Sequence, residues 1–184
     1  IYNKLGPRMT IFAGMILTSI GTYCIVLFGL GSGIIYMFLA TMICGVGIGL
    51  TVPSVTTAGV GAVKESRASL AGGIVFMFQL GGAALGLAII TTIFIDTAIN
   101  DFIGRISTLD LNLSPSNIVS IKSFILGSSS EQVLESDMGS SLVNKLLPHI
   151  KHSYIKGLKI GFSFSATLVL VGAAITLFFT KGKK

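Results

Sequence analysis

Charge is what this sequence has least of. Only 11% of its 184 residues are Asp, Glu, Lys or Arg, against 52% hydrophobic residues and a mean hydropathy of +0.88. Soluble domains devote about a quarter of their residues to charge, so this balance excludes a water-soluble globule. Acids are scarcer still, 7 against 13 bases, which leaves a net charge of +6. The bases are scattered between apolar stretches instead of gathered into one stripe, and nucleic acid is not an expected partner. There are two cysteines, Cys24 and Cys44, each inside an apolar run. A thiol there behaves as a small hydrophobe, which gives no disulfide or metal framework. No metal and no cofactor are expected.

What is present is apolar length. A hydrocarbon core of about 30 Å takes about 20 apolar residues in helix. Four runs qualify, at residues 9–30, 34–55, 70–95 and 160–179, and none contains Asp, Glu, Lys, Arg or His. The chain is therefore expected to be an all-α, polytopic bundle of about four spans, forming a single membrane domain over residues 1–184. The runs hold no His pair, no carboxylate dyad and no serine with a positioned base, so an intramembrane enzyme is not expected.

Lys and Arg near span ends are retained in the cytoplasm. Threading four spans puts Lys4, Arg8, Lys64, Arg67, Lys181, Lys183 and Lys184 on one side with a single acid, Glu65. The other side receives the charge-free stretch 31–33 and a long loop, 97–159, which with Asp96 carries six acids and six bases. The whole excess charge falls on the first side, which predicts that both termini are cytoplasmic in a multi-pass protein of the cell membrane.

The loop is the one segment of soluble character. Ser116 is expected to cap a short helix in which Ile118, Val119, Ile121 and Phe124 recur at helical spacing. A second helix is expected from near Ser130, interrupted around Gly139, toward the fourth span. Asn112-Leu113-Ser114 matches a glycosylation triplet weakened by Pro115. His149 and His152 stand on one helical face without a third ligand, and a solvated face is the expected role.

Within the spans the informative residues are small or polar. Lipid gives helices no hydrophobic reason to associate, so close packing supplies it. Thr41, Gly45, Gly49 and Pro53 recur every four residues on the second span. Gly72, Gln79, Gly82 and Gly86 share a face of the third, and Gly157, Gly161, Ser165, Gly172 and Thr176 a face of the fourth. Each stripe reads as a packing seam or as the wall of a transport path. Gln79 must find an interhelical partner or line a wet cavity. Pro53 removes a backbone hydrogen bond and is expected to bend its helix. Asp96, at the outer edge of the third span, is more readily a hydrated anchor than a proton relay.

The start Ile1-Tyr2-Asn3-Lys4-Leu5-Gly6-Pro7-Arg8, followed by a span, resembles the cytoplasmic loop motif of the major facilitator superfamily, Gly-x-Leu-x-Asp-Arg-x-Gly-Arg. Asn3 stands at the Asp position, Lys4 at the first Arg, and Gly6 and Arg8 near the end. The stretches from Gly45 to Pro53, Ala71 to Gly73 and Gln79 to Gly86 resemble the late helices of the fourteen-span drug:proton antiporter branch, in which a long outer loop also precedes the last span. The sequence departs from the pattern at Asn3, which lacks the carboxylate, at Thr41, where the equivalent first-half helix carries Arg, and at Phe78 before Gln79.

The resemblance implies part of a C-terminal bundle, a fragment whose N-terminal helices and proton-binding carboxylates lie elsewhere in the same transporter. It also implies proton-coupled export of small amphiphilic compounds by alternating access, with Asn3, Lys4, Gly6 and Arg8 in a cytoplasmic gate. A nutrient or metabolite carrier of the same superfamily would leave the same stripes. So would a self-standing four-span scaffold or oligomeric module.

Overall fold

The computed structural model describes the backbone of residues 2–29, 34–107 and 114–179, and side chains over 6–27, 34–107 and 114–178. The expectations that fall on the stretch 31–33, on Asn112 and on Lys181, Lys183 and Lys184 lie outside the described residues. Six α-helices are present among the described residues: α1 (Tyr2–Cys24), α2 (Ile34–Gly61), α3 (Ala68–Ser107), α4 (Pro115–Ile125), α5 (Glu131–Met138) and α6 (Ser140–Phe179). A π-helical turn, Ile25–Gly29, follows α1, and a 3₁₀ turn, Glu65–Arg67, precedes α3. No strand occurs among the described residues. Four helices are long and apolar enough to cross a membrane, in agreement with the all-α bundle read from the sequence and with a membrane protein.

The helices outrun the apolar runs that announce them. Both α3 and α6 have 40 residues. At 1.5 Å per residue each is about 60 Å long, twice the hydrocarbon thickness. Polar residues after Ile95 and before Ile160 continue the helices, so much of the stretch 97–159 is helical.

Two compact units divide the chain, one of Ile1–Ala88 with Phe162–Lys184 and the other of Ile89–Gly161. In the first unit α1 packs antiparallel against α2. Gly14, Thr18 and Gly21 face Cys44, Gly47 and Thr51 so closely that a Cβ on Gly21 would lie 2.6 Å from the Cys44 amide nitrogen. A Cβ on Gly47 would meet the Thr18 backbone and lie 2.7 Å from the Gly14 carbonyl oxygen. Only glycine allows this approach. On α1, Ser19 donates a buried 3.0 Å hydrogen bond to the Ala166 carbonyl of α6, and the Tyr23 and Thr167 hydroxyls pair at 2.8 Å. The α2–α3 hairpin is antiparallel too, with Gly59 receiving Val75 and Gly72 lying against Val60.

The second unit has its own core, in which Ala98, Phe102 and Ile106 of α3, Ile121 and Ile125 of α4, Leu134 of α5 and Val143, Leu146 and Ile150 of α6 are buried together. Gly157 and Gly161 of α6 admit the Phe94 and Ile90 side of α3. The boundary between α5 and α6 falls at Gly139, whose φ of 83° lies in the left-handed region that favours glycine. One expectation needs correction. Ser114, not Ser116, occupies the N-cap of α4, because Pro115 supplies a preset φ at the first helical position. The buried face of α4 is Ile121 and Ile125, whereas Ile118 and Val119 are exposed.

Candidate functional site

The residues that resembled a gate sit where α1 begins. Side chains of Asn3 and Lys4 lie outside the described residues. Gly6 has φ 74° and ψ 163°. The extended ψ follows from the clash that Pro7 imposes on the residue before it, and the positive φ is open only to a residue without a Cβ. The chain turns there, Pro7 starts the regular part of α1, and the Thr10 hydroxyl donates to the Gly6 carbonyl at 3.0 Å. Arg8 is thereby aimed at the end of α6, where its Nη2 donates to the carbonyl of Leu177.

That carbonyl belongs to the last turn of α6, whose final four carbonyls have no partner within the helix and carry the negative end of its dipole. A guanidinium answers both deficits at once. The Nε of Arg8 is buried and has no hydrogen-bond partner among the described residues. It is a donor with remaining capacity, beside the α6 end. Antiparallel packing of α1 with α2 puts this site at the same end of the first unit as the exposed Lys64 and Arg67.

A second polar contact lies between α2 and α3, where Gln79 Nε2 donates to the Thr56 hydroxyl at 3.4 Å. Thr56 in turn donates to the Val52 carbonyl at 3.1 Å. Gln79 has therefore found an interhelical partner. Neither Thr41, Gly45, Gly49 and Pro53 nor Gly82 and Gly86 meet a neighbouring helix in the described structure. All but the half-buried Gly86 are exposed, and a Cβ on any of the four glycines would find open space. The α1–α2 seam uses the adjacent stripe Ala40, Cys44, Gly47, Thr51 and Ser54. On α2, the Thr57 hydroxyl donates to the Pro53 carbonyl at 2.8 Å, and the helix continues through the proline. On α6, Gly172 and Thr176 approach Met15 of α1.

In the second unit the sequence reading weighed Asp96, which is exposed, and passed over Asp101, whose side chain is only 10% exposed. Asp101 accepts from Arg105 Nε at 2.7 Å, from the Ser153 hydroxyl at 2.9 Å, and from Lys156. It lies six residues beyond the apolar run that ends at Ile95. Burial pushes its carboxyl up, but the hydrogen bonds from Lys156, Arg105 and Ser153 outweigh burial and hold it well below the usual carboxylate range. The Asp-x-x-x-Arg spacing was the available signal, since residues four apart in a helix are neighbours. His149 is half-buried and His152 exposed, and no group of three His, Cys, Asp or Glu side chains comes together among the described residues.

Comparison with known proteins returned no match to a family model, to a curated protein or to a solved structure.

Proposed function

We propose that this chain is part of a secondary active transporter, a proton-coupled multidrug exporter that works by alternating access in the cell membrane. The observation that carries the reading is the contact of Arg8 with the last turn of α6. A charged residue at the start of the regular part of one apolar helix grips a carbonyl in the last turn of another, and such a clamp can hold one state of a rocking bundle and release in the other. The glycine seam of α1 and α2 supports it, because helices that shift against each other need smooth, close surfaces. In this reading Arg8, Lys64, Arg67 and both termini are cytoplasmic, by the retention of basic residues on that side.

The unpaired stripe Gly45, Gly49, Gly82 and Gly86 and the exposed Phe76, Met77, Phe78 and Leu80 of α3 face lipid and the remaining helices of the same transporter. Gln79 and Thr56 stand at the edge of the substrate path, with small amphiphilic compounds and protons as the transported species. A four-span module that oligomerises through the same glycines would carry no flux.

The test is ethidium efflux from loaded cells expressing the reading frame that contains this chain, compared with its Arg8→Gln variant at equal membrane abundance. The clamp predicts efflux reduced about tenfold by the loss of one charge-assisted contact. Unchanged efflux in Arg8→Gln would remove the clamp from the mechanism.

A further inference from the structure

The second unit contains a cavity of about 630 Å³ between the end of α4, the turn after it and the α6 stripe at residues 150–155. That volume lies inside the range of about 300–1,000 Å³ seen for small-molecule sites. Its walls are Phe94, Phe124, Ile150 and Tyr154, and its one ionisable cation is Lys151, with no acid in the lining. Phe94 and Tyr154 meet edge to face with ring centroids 5.2 Å apart, which fixes one wall. Ser129, from the turn that Gly127 opens with φ 71°, also lines the cavity. The Ser129 hydroxyl is buried without a hydrogen-bond partner among the described residues. Leaving a buried hydroxyl unpaired is destabilising, so a group that pairs with it is favoured.

From these residues we infer that the cavity binds an acyl chain with an anionic head, the chain against the aromatic and aliphatic wall and the head on Lys151 and Ser129. The chemistry is chosen by the lining. The walls ask for an apolar body, the lone cation rejects amphiphilic cations, and a carboxylate or phosphate accepts from both an ammonium and a hydroxyl. The position agrees, since Phe94 lies at the end of the apolar run of α3 and Tyr154 lies six residues before that of α6, where a bilayer meets water and tyrosine is enriched. A free fatty acid and an anionic phospholipid share this chemistry. The inference does not rest on the transport reading, because occupancy is measured without flux.

The experiment is photolabelling of the purified full chain in detergent, with diazirine-bearing palmitate, its methyl ester and diazirine-bearing phosphatidylglycerol as probes and labelled peptides identified by mass spectrometry. An anionic probe is expected to label residues 124–129 or 150–155, and whichever of the two labels more strongly identifies the source. Lys151 is exposed, so Lys151→Gln leaves the fold intact. It is expected to cut anionic labelling about fivefold and to leave the ester unchanged, and Ser129→Ala to act in the same direction. Labelling spread evenly over the apolar runs, or an acid-to-ester ratio unaltered by Lys151→Gln, would overturn the inference.

Discussion

Replacing Gly47 with alanine tests the α1–α2 seam, because two of the three atoms nearest the added methyl group belong to the backbone of α1 and cannot rotate away. The new Cβ would stand 2.7 Å from the Gly14 carbonyl oxygen and closer still to the Thr18 backbone, whereas ordinary contact begins at 3.4 Å. The helices must separate by at least about 0.7 Å at this point, the difference between those distances. A gap of that size forfeits about a quarter to a half of each dispersion contact it opens, and forced overpacking costs about 1–3 kcal/mol. Alanine returns about 1 kcal/mol through helix propensity, so the net loss for Gly47→Ala is up to about 2 kcal/mol.

Gly45, two residues away on the same helix, is the internal control. Its Cβ would meet nothing within 4 Å, and Gly45→Ala should gain up to about 1 kcal/mol from propensity alone. Urea titration in detergent followed by circular dichroism should therefore separate the two variants by about 2 kcal/mol, with Gly47→Ala the weaker. Equal stabilities for the two would refute the seam as the packing contact.

Hydrogen bonds set three further effects. Ser19→Ala removes one buried interhelical hydrogen bond to Ala166 and should cost about 0.6 kcal/mol and no more than about 1.7, the range for such bonds in membranes, measured in the same titration. Asp101→Asn weakens a buried carboxylate held by three donors and should lower the stability of the second unit by about 2 kcal/mol, read as faster amide exchange along residues 98–106 and 150–157. The folded-state value for Asp101 is depressed below its ordinary 3.8, so its stabilisation is present above about pH 5 and drains away as the pH falls through 4 and below. Protection factors in that segment, referred to the intrinsic exchange rate at each pH, should fall on acidification in the wild type and much less in Asp101→Asn.

The elements legible in the sequence were those written in long apolar runs and in the break at Gly139. Four charge-free runs became four long helices, and the break at Gly139 fell where the sequence placed an interruption. The ends of α3 and α6 were not legible, because hydropathy marks where lipid ends and not where helix ends. Residues 96–107 and 140–159 continue α3 and α6 with the same backbone hydrogen bonds.

The α2 seam was missed for a geometric reason. Thr41, Gly45, Gly49 and Pro53 recur strictly every four residues, a row that drifts around a helix of 3.6 residues per turn. Ala40, Cys44, Gly47, Thr51 and Ser54 alternate steps of four and three, average 3.5, and stay on the α1 side. Gln79 was readable as a residue in need of a partner, but the identity of that partner, Thr56, depends on the register of α3 against α2. Arg8 was readable only as a gate residue that the resemblance implied, and the fold assigns it to the last turn of α6.

Ethidium efflux measured as a function of the proton gradient bears most directly on the account. Cells expressing the reading frame that contains this chain are loaded with dye, energised, and treated with a protonophore partway through. Export is expected to begin on energisation, to stop when the gradient collapses, and to fall about tenfold in Arg8→Gln at equal abundance. Export no faster than in cells lacking the protein, or export indifferent to the protonophore, would contradict the transport reading.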